Sequence, residues 1–264
     1  MGNNRPPVTD GLRAGDRVFG LTAPTRFTIK RGRPVTFDRI LHADREPQNW
    51  LTYSGSLFGN RYSLLTQITP VNARSLELAW IRQAQSLRSF EATALVVDGL
   101  LYTVQAPSDV VALDAVTGRM LWTFRYSPNP LARASGGGGK VNRGLAILGD
   151  ALFLGTLDAH LLAVNAHTGK LIWNTTVADA KDPACQGRLC YVITHAPLVV
   201  KDKVIVGVGG SEGPTRGFIA AFDVLTGREA WRFHTVPEPG QPGNETCWRF
   251  LENGRRWGLE HWSL

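Results

Sequence analysis

The chain has 264 residues, 43% of them hydrophobic, with 28 glycines and a formal net charge of +7. No apolar run approaches the length of a membrane span, and the N-terminus lacks the apolar core of a signal peptide. The basic residues are scattered, without the aromatic interleaving of a nucleic-acid surface, which argues against nucleic acid as a partner and leaves a glycine-rich, globular, all-β chain.

In chain order, residues 1–34 are rich in Arg, Pro, Gly and Thr and are expected to be a poorly ordered leader. The pattern tightens at Val35, where Phe37-Asp38-Arg39-Ile40-Leu41 reads as a short helix or strand. Leu76-Glu77-Leu78-Ala79-Trp80 reads as a strand feeding the first repeat. One phrase then occurs three times: Ala112-Leu113-Asp114-Ala115-Val116-Thr117-Gly118, Ala163-Val164-Asn165-Ala166-His167-Thr168-Gly169 and Ala221-Phe222-Asp223-Val224-Leu225-Thr226-Gly227. Each runs on to a tryptophan, Trp122, Trp173 or Trp231. Repeats of this period signal a propeller or solenoid. An apolar strand, a turn of Asp or Asn through Thr-Gly, and a second strand make a hairpin. A second hairpin precedes each phrase, at 95–102, 146–153 and 198–205. Two hairpins per period predict four-stranded antiparallel blades over about 75–236, with the three indoles largely buried between them.

Glu91 and Arg143 each stand seven residues before an aspartate of a first hairpin, Asp98 and Asp150, and Thr194 stands eight before Asp202. Equal phase on successive blades puts all three at one end of the innermost strands, in one funnel. Taken singly, Glu91 reads as an exposed strand-end carboxylate, Arg143 as a surface partner for Asp150, and Thr194 as an ordinary strand residue. Glu212, in a glycine-rich turn, reads as a solvated acid. Cys185 and Cys190 could form a local disulfide, with Cys247 left over, and His160, His167 and His195 show no metal-ligand spacing.

Several ordered motifs carry a resemblance over residues 35–246. The run Trp50 to Pro70, Glu91-Ala92-Thr93, Val141-Asn142-Arg143-Gly144, Gly155-Thr156-Leu157-Asp158, Thr194-His195-Ala196-Pro197 and Gly209-Gly210-Ser211-Glu212 together resemble the PQQ-dependent alcohol dehydrogenases. The resemblance implies a partial β-propeller, about three blades of an eight-bladed family fold, flanked by irregular tails. It also implies a PQQ cofactor and a calcium or lanthanide ion. Glu91, Arg143, Thr194, Gly209 and Gly210 would contact the quinone and Glu212 the metal. The implied reaction is hydride transfer from a primary alcohol to PQQ, in the periplasm, with an acceptor such as cytochrome c.

Gly137 and Gly138 stand where many relatives carry adjacent cysteines, so the disulfide lid is expected to be absent. The family's catalytic aspartate is expected beyond Leu264, which makes this chain an inactive N-terminal fragment. The alternative is a non-catalytic propeller that serves as a protein-binding scaffold. The tail 247–264 shows neither strand alternation nor a turn phrase. Permitted codons for it, read one base later, spell a Trp-Lys and Gly-Gly run like the family's next segment, and a frameshift is therefore expected there.

Overall fold

A computed structural model describes residues 33–86, 89–129, 141–179, 191–209, 216–237 and 240–242. Among them lie twelve strands: β1 Leu95–Val97, β2 Leu100–Gln105, β3 Asp109–Asp114, β4 Met120–Phe124, β5 Ala146–Leu148, β6 Ala151–Gly155, β7 His160–Asn165, β8 Leu171–Thr176, β9 Leu198–Val200, β10 Lys203–Gly207, β11 Phe218–Asp223 and β12 Glu229–His234. They form three four-stranded sheets in plain sequence order, β1 to β4, β5 to β8 and β9 to β12. Every pairing is antiparallel. These are three blades of a β-propeller, as the repeat predicts.

The thrice-repeated phrase builds the same outer hairpin each time. Asp114 Oδ1 accepts from the backbone N–H of Val116 (3.1 Å) and Thr117 (2.8 Å) and from Thr117 Oγ1 (2.8 Å). Asn165 and Asp223 do the same in the second and third blades. These bonds hold Asp114 and Asp223 below the usual carboxylate range, with the threonine hydroxyl as the main cause. Gly118, Gly169 and Gly227 close the turns at φ of +69°, +68° and +69°, a region that favours glycine. Each outer strand slips register just before its tryptophan, which lies opposite a buried alanine: Ala112 and Trp122, Ala163 and Trp173, Ala221 and Trp231.

The indole of one blade lies on the turn of the next. Trp122 Nε1 donates to Ala166 O (3.1 Å) and Trp173 Nε1 to Val224 O (3.1 Å). A Cβ on Gly169 would come within 2.6 Å of the Trp122 ring, and one on Gly227 within 2.8 Å of the Trp173 ring. Trp80 makes the equivalent contact with the first turn, donating to Ala115 O (3.2 Å) and covering Gly118. Two expectations need correction here. Residues 76–80 are not paired as a strand, although Trp80 is docked like the others. Trp231 is 46% exposed instead of largely buried, because among the described residues no further turn lies against it.

The middle strands supply the core. Leu152, Phe153, Leu154, Leu161 and Leu162 are fully buried, each contributing about 1.5–3 kcal/mol of transfer free energy. The N-terminal segment is tied onto the first blade. Phe37–Leu41 is a helix, α1, capped by Thr36. From it Arg39 reaches Glu46 (2.6 Å) and Asp98 (2.9 Å), while Asn49 bridges the same two acids. Trp50 exchanges backbone bonds with Val96. The leader proper, the tail from 243, Gly137, Gly138 and the three cysteines lie outside the described residues.

Candidate ligand site at the inner strand entries

The three innermost strands β1, β5 and β9 are short, and the chain enters each through an extended segment. These entries are joined across blades by main-chain bonds. Thr93 N donates to Arg143 O (3.0 Å), and Arg143 N donates to Thr194 O (2.9 Å). Thr93 and Gly144 form a parallel bridge. Residues of equal phase therefore stand side by side, as the spacing predicts.

Asn142 and Gly144 set the central entry. Asn142 is buried, donates through Nδ2 to Gly155 O (2.7 Å) and accepts from Gly144 N (3.1 Å). Gly144 has φ of +144°, and a Cβ there would sit 3.1 Å from Thr93 O. Asparagine clamps the strand and glycine lets the neighbouring backbone approach, so Arg143 between them is held in one place. Its Nη2 lies 3.0 Å from Glu91 Oε2, and its Nη1 donates to Thr194 Oγ1 at 2.9 Å. Glu91, Arg143 and Thr194, one from each blade, form a single cluster.

Glu91 is exposed, as it reads when taken singly, but its carboxylate meets Arg143, which also reaches Thr194. Asp150, the alternative partner for Arg143, faces His167 Nε2 at 3.1 Å instead. The Arg143 and Glu91 side chains remain 40% and 42% exposed, so the pair contributes little to stability and stays open to a ligand. Gly209 pairs its backbone with Val192, two residues before Thr194. Gly210 and Glu212 lie outside the described residues.

The histidines are structural where the structure describes them. His195 Nε2 accepts from Gly207 N (3.0 Å) while Nδ1 faces Ala196 O (2.8 Å), locking the third entry to β10. His160 Nδ1 faces Asn174 Oδ1 at 2.7 Å. Asp158 is a buried anchor that accepts from Asn129 N (2.8 Å), Thr156 Oγ1 (2.5 Å) and Tyr126 OH (3.2 Å). Burial, then the Asp158 charge, raises the Tyr126 hydroxyl pKa. One neighbour of the cluster escapes the sequence pattern. The Tyr53 ring lies 3.5 Å from where a Gly144 Cβ would be, with the Arg61 guanidinium 4.9 Å from its centroid. Only the fold brings that loop there.

Three propeller blades, with a guanidinium, a hydroxyl and a carboxylate gathered at their first-strand entries, define a β-propeller protein. The model of the PQQ family of glucose/ethanol/alcohol dehydrogenase β-propeller domains matches residues 50–263, and the chain belongs to that family. It is 43% identical over 217 residues to the quinohemoprotein alcohol dehydrogenase ADH IIB of Pseudomonas putida, covering 81% of this chain and 30% of that protein. It is 42% identical over 198 residues to a 1-butanol dehydrogenase (cytochrome c) of Thauera butanivorans, covering 73% of this chain and 27% of that protein. A europium-containing methanol dehydrogenase structure superposes with a TM-score of 0.69 at 36% identity, over 76% of this chain and 34% of that one. The chain thus spans about a third or less of the length of each of these relatives.

The donor set fits a planar polyanion such as PQQ. Arg143 uses two nitrogens on Glu91 and Thr194, and a guanidinium has five N–H donors, so it can still fork onto a carboxylate. Among the described residues no cluster of three or more metal-ligating side chains occurs.

Proposed function

We propose that this chain is the N-terminal part of a PQQ- and metal-dependent alcohol dehydrogenase, and that Glu91, Arg143 and Thr194 hold one edge of the quinone. The observation that carries this reading is the convergence of the three side chains from three blades onto one guanidinium. A scaffold propeller would need the Trp-on-turn contacts but has no use for this half-exposed cluster.

In this reading Arg143 binds a cofactor carboxylate, and Glu91 fixes the guanidinium plane so that the remaining donors point outward. Thr194 offers its hydroxyl beside them. Gly209 and Gly210 let backbone come close to the ligand, and Glu212 supplies carboxylate oxygen to a calcium or lanthanide ion. PQQ, when bound, supplies the acceptor for a hydride from the alcohol. The general base is not among these residues. Glu91 is committed to Arg143, so the isolated chain is expected to bind without turning over. The periplasm and a cytochrome c acceptor are part of the same proposal, supported by the family and by the cytochrome c-linked relative.

The test is equilibrium titration of PQQ into the purified chain with calcium or a lanthanide present, alongside dye-linked alcohol oxidation. Saturable binding that weakens at least about tenfold in Arg143→Gln, about 1.4 kcal/mol, is expected, with no turnover. Equal affinity in wild type and variant would remove the site assignment, and turnover above a no-protein control would refute the missing base.

A further inference from the structure

The three strand entries that present Glu91, Arg143 and Thr194 meet at one point just past the cluster. A Cβ built on Gly144 would lie 3.1 Å from Thr93 O, 3.5 Å from the Ala196 Cβ and 3.5 Å from Cδ2 of Tyr53. Thr93 and Ala196 each stand two residues beyond a cluster member, and Gly144 stands one beyond Arg143. Each blade therefore contributes one residue to the meeting point. The fourth, Tyr53, comes from the segment ahead of the first blade. Gly144 has no side chain with which to hold its own strand, and the Tyr53 ring takes that place.

Tyr53 is held there from behind. Trp50 exchanges two backbone bonds with Val96 (2.8 and 3.1 Å), on the edge of β1 that β2 leaves free. Residues 52–55 then fold back over the Trp50 ring. Gly55 N donates to Thr52 O (2.9 Å) and the indole Nε1 donates to Tyr53 O (3.3 Å). A Cβ on Gly55, at φ of +81°, would collide with the indole at 2.7 Å. The turn is thus locked to the first blade through Trp50, and the half-buried phenol ring meets Gly144 through a ring carbon. The Arg61 guanidinium, 4.9 Å from the ring centroid, adds a cation–π contact.

We propose that Tyr53 is a positioning residue of the ligand site: its ring backs the meeting point and so holds the Arg143 entry, and with it the guanidinium, ready to receive a carboxylate. The proposal rests on the reading of the cluster as the binding site of a planar polyanion. Tyr53 acts through Arg143, whose main chain links both neighbouring entries. Thr93 N donates to Arg143 O (3.0 Å), and Arg143 N donates to Thr194 O (2.9 Å). Without the ring behind them, these two bonds open more often.

Amide hydrogen exchange of the ligand-free chain tests the opening itself. Tyr53→Ala should speed exchange at the amides of Thr93 and Arg143 about tenfold, with the turn amides of Gly118, Gly169 and Gly227 unchanged. Tyr53→Phe keeps the ring carbon that meets Gly144 and should match the wild type. Far-UV circular dichroism and thermal unfolding establish that each variant is folded, and Tyr53→Leu, apolar but not flat, gives a milder second variant that should fall between. PQQ titration then reads the consequence. Affinity should fall about tenfold in Tyr53→Ala, and adding Tyr53→Ala to Arg143→Gln should cause no further loss, because the two residues act in series. Unchanged exchange in a folded Tyr53→Ala overturns the proposal, as does a full loss of affinity that persists in the Arg143→Gln background. A wild type that does not bind PQQ would overturn the reading of the cluster, and the exchange comparison would still decide the role of Tyr53.

Discussion

The two ends of each blade junction are joined by different physics. On the outer side, an indole lies on a glycine turn and its N–H finds a carbonyl; Trp122 and Trp173 are each satisfied by the neighbouring blade. On the inner side, backbone bonds align the strand entries, and of the side chains they present Glu91 and Arg143 stay about 40% exposed while Thr194 is part-buried. The outer contacts close on themselves and serve stability. The inner contacts fix the backbone and leave charged groups available, which is what a ligand site requires.

The largest break in that contrast should come from the outer side. Gly169→Val places a branched side chain at φ of +68° and against the Trp122 ring. It should cost about 3 kcal/mol in urea unfolding, from backbone strain plus overpacking. Trp122→Phe keeps an aromatic ring but strands the Ala166 carbonyl, and should cost about 1–2 kcal/mol by the same measurement.

A third junction, between α1 and the first blade, sharpens the comparison by being ionic. Arg39 bonds Glu46 and, with Asn49, holds the Glu46 carboxyl below its ordinary value of 4.5. A depressed carboxylate contributes stability that is fully present above 4.5 and is lost as pH falls through the lower folded value. Glu46→Gln should lower stability at neutral pH by about 1 kcal/mol and flatten the acid limb of the profile. A variant whose acid limb matches the wild type would show that the pair does not tie the segment down.

The smallest stability effect belongs to the proposed ligand site. Arg143→Gln should change unfolding free energy by no more than about 0.5 kcal/mol, since the ion pair it removes is solvent-screened. A loss comparable with that of Gly169→Val would make the cluster structural and erase the contrast.

The sequence carries the blades because their determinants are local. Asp114, Thr117 and Gly118 bond one another within a few residues, so the phrase is legible wherever it recurs. The convergence of Glu91, Arg143 and Thr194 is legible for a related reason, since equal phase in a repeat becomes equal height in space. What depends on contact between distant segments is not legible. Tyr53 meets Gly144 only through the fold, and the docking of Trp80 without strand pairing has no local signal. The exposure of Trp231 escapes the pattern too, because the phrase is identical whether or not a neighbour follows.

The contrast between the two sides is tested most directly by amide hydrogen exchange of the wild-type chain with and without PQQ. Added protection is expected at the strand entries 91–94, 141–144 and 192–195, with the turns 114–118, 165–169 and 223–227 unchanged. Protection confined to the turns, or none at the entries while PQQ is bound, would contradict the assignment of the inner side to the ligand.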